Sequence, residues 1–220
     1  MPVPAQPCGS RAEFFVARLF TAVRGRGRTF GTASIEPPRA AAYTTSIVEH
    51  PMSVRPILKL GNPDLHRVCR PIQKEELAFA SLIVADLHDT LFHFRERHGM
   101  GRAIAAPQIG AFVRVVYMHV GKPTAFINPE LHDLSEQKFT IWDDCMSFPD
   151  LLVKVERHVC CRVVYRDLEW VERAMPLEGD LSELLQHECD HLDGILAPSR
   201  AVDAQSFAYR AEFEGPRVVT

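Results

Sequence analysis

The first 51 residues contain no lysine and no aspartate, although they carry six arginines and three glutamates. Lysine and aspartate appear only in the remainder, which holds 19 basic and 25 acidic residues. An Arg-rich, acid-poor N-terminus with many Ala, Ser and Thr reads as an organellar transit peptide. Arg11 to Val23 has the makings of a short amphipathic helix, and "RGRGR" follows it. A secretory signal fits less well, because Arg18 interrupts the apolar run. The alternatives are a disordered basic tail and an upstream extension ahead of a start at Met52. The expected address is the matrix of the mitochondrion or of another organelle. Other absences narrow the field further. No apolar run approaches the roughly 18 residues that a membrane-spanning helix needs, so no transmembrane segment is expected. No CxxC pair stands among the six cysteines, so nothing suggests a paired-cysteine metal or redox motif. There are no internal repeats. A formal net charge of -3 shows no basic excess, so no direct nucleic-acid binding is expected.

What remains is ordinary for a globular protein, with 46% apolar and 24% charged residues in 220. The expected organisation is a basic leader over residues 1–51 and one catalytic domain over residues 52–220. Lys74 to His98 places Leu77, Ala80, Val84, Leu87, Leu91 and Phe94 at helical spacing, with Gly99 as a stop signal. Then come "FVRVVYMHV", "TAFINPEL", "QKFTIW", "LLVKVERH", "CCRVVYRDL" and "WVERAMPL", short β-branched runs separated by turn residues. A second helix is predicted from about Leu181 to Leu192, with Asp180 as its cap and Glu183 at the capping-box position. Helix, strands, helix, with no βαβ alternation, predicts an α+β fold with mainly antiparallel sheet.

The second helix contains "SELLQHECDHLDGIL". His187 and His191 are one helical turn apart, so both imidazoles can meet one metal ion, with Glu188 beside them as a general base. The bland alternative is a solvated helix face. Leu181, Leu184, Leu185, Leu192 and Ile195 surround the motif and make the helix read as buried, and buried imidazoles need a shared partner. A metzincin-type protease would place its third ligand where Ala197 stands. A thermolysin-like enzyme would use a downstream glutamate, and Glu212 and Glu214 lie in a short tail without helical bulk. Cys189 points to the other side of the helix. Upstream, "IWDDCMSFP" offers Cys145, and a thiolate with two imidazoles makes a three-ligand site with an open position, the pattern of a catalytic metal.

Three segments taken together, "GRAIAAPQIG", "WDDCMSFP" and "LLQHECDHLDGIL", resemble the three motifs of the peptide deformylase family. They stand in the family's order and approximate spacing. "ILKLGNPDLHRVCRPI" and "INPE" are similar to it as well, so the resemblance runs from about Val54 to Leu196. It implies mainly antiparallel sheets packed around a buried metal-binding helix. It implies removal of the formyl group from the formyl-methionine of nascent chains, near the ribosome, with release of formate. It implies one divalent metal ion per chain, Fe(II) physiologically, with Zn, Ni or Co able to replace it in a purified sample. The motifs assign Cys145, His187 and His191 as ligands and Glu188 as general acid/base. They assign the Gln108 amide and the Met146 backbone N–H as oxyanion donors. Gly101, Ile104, Asp144 and Leu184 are expected to contact substrate, Ile104 and Leu184 being equally open to a place in the core, with Asp143 and Arg157 as a supporting pair.

The second motif of the family reads Glu-Gly-Cys-Leu-Ser, whereas this chain has Asp143, Asp144, Cys145, Met146 and Ser147. Asp143 is one methylene short of glutamate. Asp144 puts an acid where glycine would let the substrate approach the backbone. In the first motif Ala103 takes the place of the second glycine. The alternative expectation is a divergent relative that binds metal and N-blocked peptides with little or no turnover. The sequence leaves the oligomeric state open.

Overall fold

Residues 53–215 are described by the computed structural model. The proposed leader lies outside these residues. After an irregular segment with a 3₁₀ turn at Pro63–His66, a second such turn at Lys74–Glu76 opens onto helix α1, Leu77–His98. Gly99 ends α1 in the left-handed region (φ 67°), and its N–H donates to the Arg95 carbonyl at 2.8 Å. Only glycine takes that conformation at no steric cost, which is why the stop signal is legible. Ala80, Ile83, Leu87, Leu91 and Phe94 form the buried face. Each fully buried leucine contributes roughly 1.5–3 kcal/mol to holding α1 on the sheet. By length and composition α1 with its preceding turn is apolar enough to cross a membrane, which the search for uninterrupted apolar runs missed. In this fold that apolarity serves the core, where α1 packs with Ile104, Val115 and Ile127.

The strands are β1 (Ala103–Ala105), β2 (Val115–Val120), β3 (Lys122–His132), β4 (Lys138–Asp144), β5 (Leu151–His158), β6 (Cys160–Arg166), β7 (Glu172–Glu178) and β8 (Phe207–Tyr209). They form a five-stranded sheet in the order β1-β2-β3-β6-β7 and a three-stranded sheet in the order β4-β5-β8. Every strand pair within the two sheets is antiparallel. Two short strands, β1 and β8, escaped the sequence pattern because three residues carry no periodicity. Helix α2, Asp180–Leu192, is buried from Ser182 to Leu192. It packs against β1, β5 and β7.

The N-terminus of α2 differs from expectation. Asp180 is the first helical residue, Gly179 is the cap, and no side chain caps the helix. Glu183 instead accepts from Arg102 Nη2 at 2.8 Å, and Arg102 Nη1 donates to the Asp180 carbonyl at 3.3 Å. An ion pair to the turn before β1 has taken the carboxylate that local pattern would have spent on a capping box.

Candidate active site

Helix α2 presents an accounting problem, because seven of its consecutive buried residues are polar: Ser182, Glu183, Gln186, His187, Glu188, Asp190 and His191. Buried polar groups need partners. Ser182 Oγ donates to the His158 carbonyl at 2.9 Å, and the Gln186 amide donates to that carbonyl at 2.9 Å and accepts from the His158 N–H at 3.0 Å. Asp190 accepts from Arg157 at 2.6 Å and from Arg200 at 2.7 Å. His187 Nδ1 lies 2.9 Å from Asp143. Among the described residues, Glu188 Oε2 and His191 Nδ1 are left with no partner. The unpaired carboxylate oxygen sits where the linear motif places a general base.

Strand β4 completes the site. Its alternation buries Asp143 and leaves Asp144 half-buried, and Cys145 follows at once, buried. Cys145 Sγ is 3.2 Å from His191 Nε2, which is 3.2 Å from His187 Nε2. The ligand atoms of Cys145, His187 and His191 all lie within 4.8 Å of one another. Two ring nitrogens and a sulfur facing one point fit a tetrahedral divalent ion with a fourth position open. A second convergence, of Asp143, Glu183 and His187, shares one histidine with the first, and its carboxylates already serve Arg157 and Arg102.

Asp143 lies between Arg157 Nη2 at 2.9 Å and His187 Nδ1, so the shortened acid still reaches the predicted arginine. With Nδ1 engaged by Asp143, Nε2 of His187 faces the ligand cluster, and against burial the Asp143 carboxylate holds the ring well above the usual imidazole range. Burial works against the charged form of Asp143, but His187 and Arg157 outweigh it and hold the carboxyl down at about 2. Burial, and after it the neighbouring His187, drives His191 well below the usual imidazole range. Burial pushes Glu188 up to about 7. A carboxyl balanced near neutrality can both take and give a proton there.

Gln108 lies on a 3₁₀ turn, Ala106–Ile109, directly after β1. Its Oε1 accepts from the Ala105 N–H at 2.9 Å, which turns Nε2 toward Ser147 Oγ at 3.3 Å and Cys145 Sγ at 3.5 Å. A cleft over the ligand cluster is lined by Gly101, Ala103, Gln108, Asp144, Met146, Leu184 and Glu188, among others. Gly101 has φ 114°, and a Cβ there would meet Leu91 Cδ1 at 3.2 Å, so glycine is required at that position. Ile104 is the exception among the predicted contacts. It is fully buried in the core beside Leu87 and Leu91 and faces away from the cleft, whose wall at that point is Ala103. Strand alternation gives adjacent residues opposite faces.

Sequence reasoning missed several supporting residues. Lys59 Nζ donates to the Met146 carbonyl at 3.1 Å, while the Leu58 and Leu60 N–H groups donate to the carbonyls of Gln108 and Ser147. The early segment thus ties the first and second motifs together. Asp190 and Arg200 brace Arg157 from behind, and Arg210 bonds Asp144. Asp190 had a signal, being an acid on a buried helix. Arg210 had none.

A family model described as polypeptide deformylase matches residues 54–206. The chain belongs to that family. The peptide deformylase 1 of Prochlorococcus marinus is 35% identical over 182 residues, 76% of this chain and 91% of that protein. The crystal structure of the Thermotoga maritima peptide deformylase superposes with a TM-score of 0.62 at 30% identity, covering 68% of this chain and 99% of that one. An Acinetobacter baumannii peptide deformylase with bound Met-Ala-Ser superposes at 0.61 with 28% identity, covering 67% and 98%. Peptide deformylases are metal-dependent hydrolases, and this chain is an enzyme of that class. It removes the formyl group from the N-terminal formyl-methionine of nascent polypeptides and releases formate. The alternative of a metal-binding relative without turnover is not favoured.

Proposed function

We propose that this peptide deformylase works through Cys145, His187 and His191 as the ligands of one divalent ion, Fe(II) in the cell, and through Glu188 as general acid/base. The observation that carries the reading is the convergence of three ligand atoms at a cleft that Glu188 also lines, with its Oε2 lacking a partner among the described residues. When bound, such an ion would lower the pKa of water toward neutrality and polarise the formyl oxygen. The rest of the work falls to the chain. Glu188 takes the proton of the attacking water, is protonated as the tetrahedral species forms, and returns that proton to the departing amine. Burial raises that carboxyl above the usual carboxylate range, which favours its holding the proton between the two steps. The Gln108 amide and the Met146 N–H donate to the oxygen on which negative charge develops. A neutral amide suits the task, since it cannot ionise away, and Ala105 holds it in orientation before substrate arrives. Gly101 and Leu184 border the space for the methionine side chain.

The substrates proposed are formyl-methionyl peptides and nascent chains near the ribosome, in the matrix of the mitochondrion or another organelle. The Arg-rich, acid-poor leader supports that address. The deciding experiment loads the protein with Fe(II) under anaerobic conditions and supplies formyl-Met-Ala-Ser. Formate release that is lost in Glu188→Ala, with metal content unchanged, is the expected result. Release that persists in Glu188→Ala would rule out its assigned role.

A further inference from the structure

Asp144 occupies the position at which the family motif has glycine. Its backbone is ordinary strand and not among the residues with positive φ, so the glycine is not needed there for its conformation. What changes is the side chain: an acid now lines the cleft beside Cys145 and near Glu183 and Glu188. A loose carboxylate at that place would sit on the route of an extended peptide and repel further negative charge.

The carboxylate is not loose. Arg210 Nη2 donates to Asp144 Oδ2. The guanidinium is itself anchored, because Nε donates to the Pro149 carbonyl at 2.9 Å and the Arg210 backbone N–H donates to the Asp150 carbonyl at 2.8 Å. Register explains how a residue 66 positions away arrives there. Asp144 pairs with Leu152 on β5, and Leu152 pairs with Ala208 on β8, two residues before Arg210. Beyond it, the Phe213 ring packs against Trp142 of β4 at 5.0 Å. Arg210 also lies past residue 206, where the match to the family model ends. Asp144, which departs from the family motif, and Arg210, beyond the matched stretch, meet each other. The pair is part-buried at the edge of the cleft, with the Asp144 side chain 13% exposed and that of Arg210 33%, so it fixes where the carboxylate points.

We propose that Arg210 is a positioning residue for substrate, which tethers the Asp144 carboxylate to the C-terminal arm and keeps the peptide path clear. The inference rests on reading the cleft as the formyl-peptide site. The test measures kcat and KM for formyl-Met-Ala-Ser, and Met-Ala-Ser binding by calorimetry, on full-length metal-loaded protein. Arg210→Ala is made both in the natural chain and in Asp144→Gly. With Asp144 present, Arg210→Ala raises KM and weakens Met-Ala-Ser binding about tenfold while kcat holds, as expected for lost ground-state binding. Arg210→Lys recovers most of the loss, and it carries the test if the alanine variant fails to fold. In the Asp144→Gly background the same Arg210→Ala change moves neither quantity by more than about twofold. An equal loss in both backgrounds would make Arg210 a structural prop of the arm and overturn the proposal, as would no loss in either. If the natural chain releases no formate, the reading of the cleft fails instead, and the Met-Ala-Ser titrations decide the role of Arg210 on their own.

Discussion

Asp143 and Asp144 are neighbours on β4, each paired with an arginine, yet they belong to different regions of the molecule. Asp143 is on the floor of the cleft, where its side chain and that of Arg157 are 2% and 3% exposed. Asp144 is on the rim, where its side chain and that of Arg210 are 13% and 33% exposed. The floor pair is part of a chain from Asp190 through Arg157 and Asp143 to His187, so losing one member strands a charge away from water. The rim pair can be hydrated when broken. The same two functional groups therefore hold the His187 imidazole in place on the floor and, in our proposal, steer a side chain on the rim. Burial, not chemistry, separates the roles.

Four measurements would break or sharpen that contrast. The largest loss belongs to Glu188 on the floor. Glu188→Ala lowers kcat by about 10²–10⁴-fold, the usual range for a general acid/base. Formate release at saturating substrate measures it, and a loss below about tenfold would move the proton work elsewhere. Next comes the floor pair. Asp143→Ala leaves Arg157 with Asp190 as its one remaining carboxylate and His187 without its partner, and it costs about 3–5 kcal/mol by denaturant unfolding. It also weakens metal binding roughly 10–100-fold in a chelator competition. Unfolding and metal affinity within error of the natural chain would place the floor on the same footing as the rim. Gln108→Ala lowers kcat by about 10²–10³-fold with bound metal unaltered, as for other oxyanion donors. A change confined to KM would assign Gln108 to ground-state binding. The smallest effect is on the rim itself, where Asp144→Gly changes unfolding free energy by less than about 1 kcal/mol. A cost approaching that of Asp143→Ala would erase the distinction.

Much of this site is legible in the linear chain. His187 and His191 face one way because a helix repeats every 3.6 residues, and that needs no tertiary information. Cys145 and Gln108 were readable as motif positions, and "LLVKVERH" coincides with β5. The failures have one cause. Ile104 was open to either the apolar methionine slot or the core, and strand alternation put it in the core. Glu183 was assigned to a capping box by local spacing, and Arg102, 81 residues away, claimed it instead. Arg210 carried no signal, because its partner is set by the registers of two strand pairs and not by any nearby residue.

Local periodicity and residue chemistry pointed to the ligand types and the general base, with the family resemblance assigning their roles, and they gave the mixed, largely antiparallel architecture. These follow from helical geometry and from what a metal and a proton transfer require. Folding alone decided which carboxylate meets which guanidinium, which of two adjacent aspartates is dry, and which leucine or isoleucine reaches the cleft. Ion-pair partners come from distant strands, and the strength of each pair depends on how much water the surrounding packing excludes. Neither is encoded within one stretch of chain.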